Sequence, residues 1–372
     1  MGNSPGVKVI IAGGGTGGHL YPGLALAQEF ERRGKAEILF IGTAYGIESK
    51  VLPKTHYRFK KIWMRGLQRK LALENLIFPV RLLVSLFQCA AAMIAFRPQV
   101  VIGTGGYVSG PALMAALLLR VPSVIQEQNS YPGLVNRLLG KWVNQVHLTY
   151  ADSLPYFKNS FTYVSGNPVR GEFSATLRDS RARAAQKFKL DESKTTLFVF
   201  GGSQGARAIN ERLLNCLSRL LEVSTLQILW ATGAGEYDMI AGKSDINNQA
   251  LRIQPFIDDM ASAYAITDLA LCRAGASTLS EIAICGIPAI LVPYPHAAAG
   301  HQDFNARTMA KAGAAIVIHE RDFTEEALIN NVRDLVGNQE KRTMMAAAAR
   351  RLGRPDAARE IVDKILELID HN

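Results

Sequence analysis

The densest chemical signal in the chain is the run Gly13, Gly14, Gly15, Thr16, Gly17, Gly18, His19. It lies between an apolar strand-like stretch, Val7 to Ile11, and a helix-like one, Leu24 to Arg32. A glycine-rich turn from strand to helix aims backbone N–H groups at an anion, so the run points to a phosphate-bearing ligand. His19 places a titratable group beside that site and so adds acid–base chemistry. A blander reading stays open at this point: a tight turn that uses glycine for backbone freedom alone.

Two common phosphate binders are disfavoured. Gly13, Gly15 and Gly18 fit the dinucleotide spacing G-x-G-x-x-G. That fingerprint also wants a carboxylate at the end of the second strand, to hold a ribose. The second strand, Ile38 to Ile41, runs instead into Gly42, Thr43 and Ala44, which argues against a nicotinamide cofactor. His19 follows Gly18 where a P-loop would carry Lys and Ser or Thr. His296 and His301 stand five apart with no third ligand, and no Asp-x-Asp pair is present. Neither a metal nor a cofactor is therefore expected.

Three further strand-to-helix junctions carry similar loops. Val100 to Ile102 leads into Gly103, Thr104, Gly105, Gly106 and Tyr107. Leu197 to Phe200 leads into Gly201, Gly202, Ser203, Gln204 and Gly205. Leu269 to Cys272 leads into Arg273, Ala274, Gly275, Ala276, Ser277 and Thr278, with Glu281 one turn on. Each half of the chain thus has two such loops, and ligands of open α/β sheets bind at the carboxyl ends of strands. Two halves facing each other would put anion sites on both sides of one cleft.

The elements that must position these loops alternate along the whole chain. Strands are expected at 7–11, 38–41, 100–102, 122–125 and 145–149, and helices at 23–33, 48–54, 80–95, 110–119 and 133–141. The same alternation resumes after the turn-rich Asn167 to Arg170, with strands at 196–200, 226–231, 251–254, 269–272, 289–292 and 315–318 and helices at 175–188, 206–221, 258–264, 277–284, 303–311, 324–336 and within 340–370. It predicts an α/β fold with parallel sheets. The domains expected are 1–165, 166–345 and a helical tail, 346–372, that packs back on the first.

Charge divides the same way. The chain carries 42 Lys+Arg and 32 Asp+Glu, a net +10, and residues 1–165 hold 18 of the former against 7 of the latter. A basic half suits nucleic acid, an anionic membrane or phosphorylated ligands. Nucleic acid is disfavoured, because no stacking motif or recognisable nucleic-acid module is present. The stretch 58–97 interleaves Arg58, Lys60, Lys61, Arg65, Arg69, Lys70 and Arg81 with Leu76, Phe78, Leu82, Leu83, Leu86 and Phe87. Its apolar core, Leu82 to Phe96, falls short of the about 20 residues a spanning helix needs. It reads equally as a patch that lies on anionic lipid and as a buried helix with a solvated basic face. Met1 to Gly6 shows no leader pattern, and Cys89, Cys216, Cys272 and Cys285 have no disulfide or metal spacing.

Taken in order, the motifs resemble a known family. They are Gly15-Thr16-Gly17-Gly18-His19, Gly103-Thr104-Gly105-Gly106-Tyr107, Gln126-Glu127-Gln128-Asn129, Gly166-Asn167-Pro168-Val169-Arg170, Gly201-Gly202-Ser203-Gln204-Gly205-Ala206, Arg273 to Glu281, and His301-Gln302 with Asn305-Ala306. Over residues 7–365 the chain is similar to the MurG family of bacterial N-acetylglucosaminyltransferases. That resemblance implies a GT-B fold, two Rossmann-like domains whose parallel sheets face a cleft. It implies inverting transfer of GlcNAc from UDP-GlcNAc to the C4 hydroxyl of undecaprenyl-diphosphate-linked MurNAc-pentapeptide, in peptidoglycan synthesis. It also implies a peripheral enzyme on the anionic cytoplasmic face of the inner membrane, and tips the 58–97 stretch towards lipid.

Site roles follow from the same resemblance. Thr16, Gly17, Gly18, Asn129, Arg170, Ser203, Ile257, Ala276, Ser277, Thr278, Leu279, Ser280, Glu281 and Gln302 would surround the donor, with Glu281 on the ribose and the Ile257 backbone on uracil. Gly103, Thr104, Gly105 and Gly106 would take the acceptor diphosphate. His19 is the first candidate for the base that accepts the acceptor's proton, with Glu127 and Tyr107 behind it. The residues alone leave other readings open: His19 as a structural histidine, Glu281 as a carboxylate favoured by a helix dipole, and Ile257 as ordinary core. A UDP-GlcNAc 2-epimerase, a glycolipid glucosyltransferase, an NAD-linked oxidoreductase and a non-catalytic membrane-surface protein are the competing functions. The three alanines Ala297, Ala298 and Ala299, just before Gln302, depart from the polar residues common in relatives.

Overall fold

The computed structural model describes residues 6–66, 76–169, 181–202 and 205–371. The chain forms two compact units, Met1–Arg170 with Asp356–Asn372, and Gly171–Pro355.

The first unit runs β1 (Val7–Gly13), α1 (Gly17–Arg33), β2 (Ala36–Gly42), α2 (Glu48–Val51), β3 (Arg58–Lys61), α3 (Phe78–Phe96), β4 (Val100–Gly105), α4 (Ser109–Leu118), β5 (Ser123–Glu127), α5 (Leu134–Leu139), β6 (Gln145–Leu148) and β7 (Thr162–Val164). Its seven strands are all parallel in the order β3-β2-β1-β4-β5-β6-β7. Val9, Ile10, Ile11 and Ala12 of the central strand are fully buried, as a parallel sheet covered by helices on both faces requires. On one face Leu20, Leu24 and Ala27 of α1 recur at helical spacing and enter the core with Val9 and Ile11. On the other, Cys89, Met93 and Phe96 of α3 pack with Ile10, Ala12 and Val101.

The second unit runs α6 (Arg181–Phe188), β8 (Thr195–Phe200), α7 (Arg207–Leu221), β9 (Leu226–Ala231), α8 (Tyr237–Lys243), β10 (Leu251–Gln254), α9 (Met260–Ile266), β11 (Leu269–Cys272), α10 (Ala276–Cys285), β12 (Ala289–Leu291), α11 (His301–Lys311), β13 (Ala315–Val317), α12 (Glu325–Gly337) and α13 (Gln339–Leu352). Its strands are also parallel, in the order β10-β9-β8-β11-β12-β13. Helix α13 packs on α10, so this unit extends to Pro355 rather than ending at 345. The last helix, α14 (Ala357–Asp370), lies on α1 in the first unit, with Ile361, Val362 and Ile365 fully buried in its core.

In each sheet the connections reverse direction between two neighbouring strands: β1 and β4 in one unit, β8 and β11 in the other. That switch point is where open α/β sheets bind ligands. The four loops singled out in the sequence follow these four strands. Some elements differ from expectation. α1 begins at Gly17, inside the glycine run, rather than near Gly23, and it carries Pro22 inside it at the cost of one i→i−4 hydrogen bond. Arg58, Lys60 and Lys61 form the edge strand β3, whose exposed charges protect an unpaired edge. Strand β7 and helix α8 were not expected at all.

Truncating Ile361 to Ala removes a fully buried side chain from the first unit's core. It is expected to lower that unit's stability by about 2–5 kcal/mol in urea titrations, while the second unit's transition stays in place.

Candidate active site

His19 lies in the first turn of α1 and is half-buried. Its Nδ1 is 3.1 Å from the carbonyl oxygen of Gly14. A carbonyl only accepts, so Nδ1 carries the proton and Nε2 keeps its lone pair. The Thr16 hydroxyl lies 3.3 Å from the same Nδ1. Burial lowers the His19 pKa from its ordinary 6.5 and outweighs the Gly14 bond and the carboxylates of Glu127 and Glu48, all of which raise it. His19 is therefore neutral at pH 7, with a basic nitrogen on offer.

The second glycine loop explains why the ring stays there. Gly105 and Gly106 have φ of +104° and +76°, which side-chain-bearing residues rarely adopt. A Cβ on Gly105 would stand 2.7 Å from His19 Cδ2, and one on Gly106 2.5 Å from the Gly14 carbonyl oxygen. Thr104 Oγ1 donates to the His19 carbonyl at 2.8 Å, and Gln128 Nε2 donates to the Thr104 carbonyl at 2.7 Å. Gly103 is packed by Leu113 inside the core. The loop assigned to an acceptor diphosphate thus first serves as the bed of the imidazole. Gly17 and Gly18 open α1, where N–H groups have no intrahelical acceptor.

Glu127 is fully committed elsewhere. Oε1 accepts from the Asn129 backbone at 2.9 Å and side chain at 3.1 Å, and Oε2 accepts from Gly133 N at 2.9 Å and Asn136 Nδ2 at 2.8 Å. Four donors occupy the carboxylate that was a candidate base, and the Asn129 amide faces Glu127. Tyr107 is exposed and its ring lies over Gly66. The other conspicuous buried histidine, His147, has both nitrogens in protein bonds, to Ser165 Oγ and Gln145 Oε1. Burial, then Lys364, push its pKa down to about 3, and it serves the core.

In the second unit, α10 begins at Ala276 with Gly275 as its cap residue and no side-chain cap. The first N–H groups of the helix, at Ala276, Ser277 and Thr278, so have no intrahelical acceptor, and Ser277 Oγ is buried without a hydrogen-bond partner. Glu281 stands in the second turn, past the first turn in which the helix dipole favours a carboxylate. Tyr264 OH donates to Glu281 Oε2 at 2.8 Å. Burial, followed by the Glu281 charge, raises the Tyr264 pKa well above 10, so the hydroxyl stays a donor. Ile257 and Leu279 are buried apolar side chains and Ser280 Oγ donates back to Ala276 O, so the Ser280 hydroxyl proton is spent within the helix. Gln302 Oε1 accepts from Tyr294 N at 2.9 Å. Arg170 and Ser203 lie outside the described residues. Among the described residues no group of three His, Cys, Asp or Glu side chains is placed to hold a metal.

Sequence reasoning missed Glu48, Gln128 and Tyr264. Glu48 had a visible signal: it is the one carboxylate in the glycine-punctuated run from Gly42 to Glu48.

Residues 9–148 match the glycosyltransferase family 28 N-terminal domain and residues 196–361 the glycosyltransferase family 28 C-terminal domain. Across 371 residues the chain is 42% identical to a Desulforamulus reducens protein named UDP-N-acetylglucosamine--N-acetylmuramyl-(pentapeptide) pyrophosphoryl-undecaprenol N-acetylglucosamine transferase, covering 97% of this chain and 99% of that one. The chain belongs to the MurG branch of glycosyltransferase family 28. A Chlorobaculum tepidum protein of the same name is 43% identical over 97% of this chain and 99% of its own. The crystal structure of Acinetobacter baumannii MurG, 30% identical, superposes with a TM-score of 0.77 over 97% of this chain and 99% of that one. As a family 28 member with two Rossmann-like parallel-sheet units, the chain has the GT-B class of fold.

In a family 28 glycosyltransferase built this way, Gly105→Ala should displace the His19 ring and strain the loop. Glycosyl transfer is expected to lose on the order of a hundredfold in kcat, with the second unit's unfolding transition unchanged in calorimetry.

Proposed function

We propose that the chain transfers GlcNAc from UDP-GlcNAc to the C4 hydroxyl of undecaprenyl-diphosphate-linked MurNAc-pentapeptide, with inversion at the anomeric carbon. The observation that carries this reading is the near-full-length likeness to the D. reducens transferase named above. The geometry of the first unit supports it by supplying a neutral imidazole with Nε2 unprotonated.

His19 Nε2 takes the proton of the acceptor hydroxyl as that oxygen bonds to C1 of GlcNAc. The C1–O bond to the β-phosphate breaks, and UDP leaves with the electron pair. Charge building on the leaving diphosphate needs fixed donors aimed at it. The uncapped start of α10 offers such donors, and Arg170 and Ser203 are proposed beside it. Glu281, steadied by Tyr264, is proposed to accept from the ribose hydroxyls. Glu127 is proposed to act on the loop that carries Asn129 rather than on the proton.

Contact with the cytoplasmic face of the membrane is proposed for α3. Val80, Leu83, Phe87 and Ile94 line its exposed face, and Leu76 and Ile77 extend it. Arg81 lies over the Trp63 ring at its edge. Contrary to the expectation from Leu82 to Phe96 alone, the helix begins at Phe78 and its 19 residues, of mean hydropathy 1.7, are long and apolar enough to cross a bilayer, but Ser85, Cys89, Met93 and Phe96 hold its other face in the core. An apolar stripe beside cations lies on anionic lipid instead.

The deciding experiment supplies labelled UDP-GlcNAc with the lipid-linked MurNAc-pentapeptide diphosphate and, separately, without it. Acceptor-dependent β-linked disaccharide is expected. Conversion of the free nucleotide sugar without acceptor would replace this reading with epimerisation. His19→Ala should lower kcat by about 10²–10⁴ while the KM for UDP-GlcNAc moves little. The base form of His19 exists above its lowered pKa, so activity should hold as pH falls through 6.5 and decline only below it. Tyr264→Phe should raise the UDP-GlcNAc KM by about tenfold, the loss of one hydrogen bond to a charged group, and leave kcat near its original value. Phe87→Glu should weaken binding to anionic vesicles by roughly tenfold without changing transfer to a short-chain soluble acceptor.

A further inference from the structure

We propose that Glu48 is a positioning residue for transfer: its buried carboxylate clamps the first glycine loop so that the Gly14 carbonyl can hold His19 by Nδ1. This rests on the reading of His19 as the base.

Glu48 opens α2, far in sequence from His19's helix, and has no solvent exposure. Its Oε2 accepts from Gly15 N at 2.8 Å. Its Oε1 accepts from Thr43 N at 2.9 Å and from Thr43 Oγ1 at 2.7 Å. Thr43 Oγ1 in turn accepts from the backbones of Tyr45 and Gly46. The turn after β2 is thereby tied through one carboxylate to the turn after β1. Every partner of Glu48 is a donor, and only an acceptor-only group suits all of them. A burial this deep is tolerated because the charge is matched by hydrogen bonds.

The glycines of both turns make the space. A Cβ on Gly14 would stand 2.5–2.7 Å from the Glu48 carboxylate, and one on Gly46 as close as 2.0 Å. Gly14 is also the residue whose carbonyl orients His19. The same peptide segment therefore touches the carboxylate on one side and the imidazole on the other. This reassigns part of the glycine run. The Gly15 N–H is spent on a protein carboxylate, so it does not cradle a phosphate, and a negative charge under the turn opposes an anion there. Anion binding in this loop falls to the N–H groups at the start of α1.

The charge reaches His19 as well. The charged groups that act on the imidazole are Glu127 and Glu48, both of which raise its pKa. The other groups that touch the ring, Gly14, Thr16, Gly105 and Gly106, are uncharged. Neutralising Glu48 therefore makes His19 a weaker base as well as a looser one.

The test compares kcat, KM for UDP-GlcNAc and the acid limb of the pH profile in the full-length enzyme, Glu48→Gln and Thr43→Val. Glu48→Gln keeps the shape but sets an amide NH2 against a backbone donor and removes the charge. It is expected to lose about tenfold or more in kcat, keep KM within about twofold, and shift its acid limb to lower pH. Thr43→Val strips a donor but keeps the charge, so kcat should fall about threefold with the limb in place. Wild-type kcat in Glu48→Gln, or a loss with an unmoved limb, overturns the proposal. If Glu48→Gln does not fold, as judged by circular dichroism, Thr43→Val decides: unchanged kcat overturns the clamp. A wild-type enzyme that transfers nothing sinks the function itself, and one whose activity survives His19→Ala sinks the role of His19. Both outcomes are distinguishable from failure of the clamp.

Discussion

The first unit depends on one close approach: the His19 ring resting on the backbone of Gly105 and Gly106. Two loops must meet for this, and they do because β1 and β4 are neighbours, with Gly13 paired to Gly105 in the sheet register. The contact tolerates no Cβ at either glycine and demands left-handed backbone at both. Thr104 and Gln128 then lock the loop to the helix that carries the ring. The switch point of the sheet supplies the place, and the missing side chains supply the room.

Two buried carboxylates surround this device and neither is available as a base. Glu127 organises the loop beyond β5 with four accepted hydrogen bonds, and Glu48 joins two turns with three. Their charges pull the His19 pKa up, and burial pulls it down further than they raise it. The result is a histidine neutral at physiological pH, with Nδ1 held by the Gly14 carbonyl. The second unit has the same switch-point topology. A helix start without a cap, and a carboxylate steadied by a buried tyrosine, stand where β11 ends.

Much of this was legible in the sequence, for identifiable reasons. Alternating apolar runs gave the parallel sheets, because strands buried on both faces read as continuous Val, Ile and Leu. The four glycine loops marked the strand ends at both switch points. What was not legible depends on approach across the sheet. Nothing in the spacing of residues 13–19 and 103–107 says that a ring from one run lies on the other. Glu48 looked unremarkable because the dinucleotide pattern directs attention to the end of the second strand, and its carboxylate lies six residues beyond Gly42. Glu127 looked like a base because a lone acidic residue among polar neighbours reads as chemistry until its hydrogen bonds are counted.

The central claim is that His19 is held by Nδ1–H with its Nε2 lone pair available. The most direct measurement is the ¹⁵N spectrum of histidine-labelled protein across pH, with His19 assigned by its loss in His19→Asn. The expected result is the Nδ1–H tautomer at pH 7.5, converting to imidazolium only at a pH below 6.5. An Nε2–H tautomer, or protonation above pH 6.5, would contradict the account.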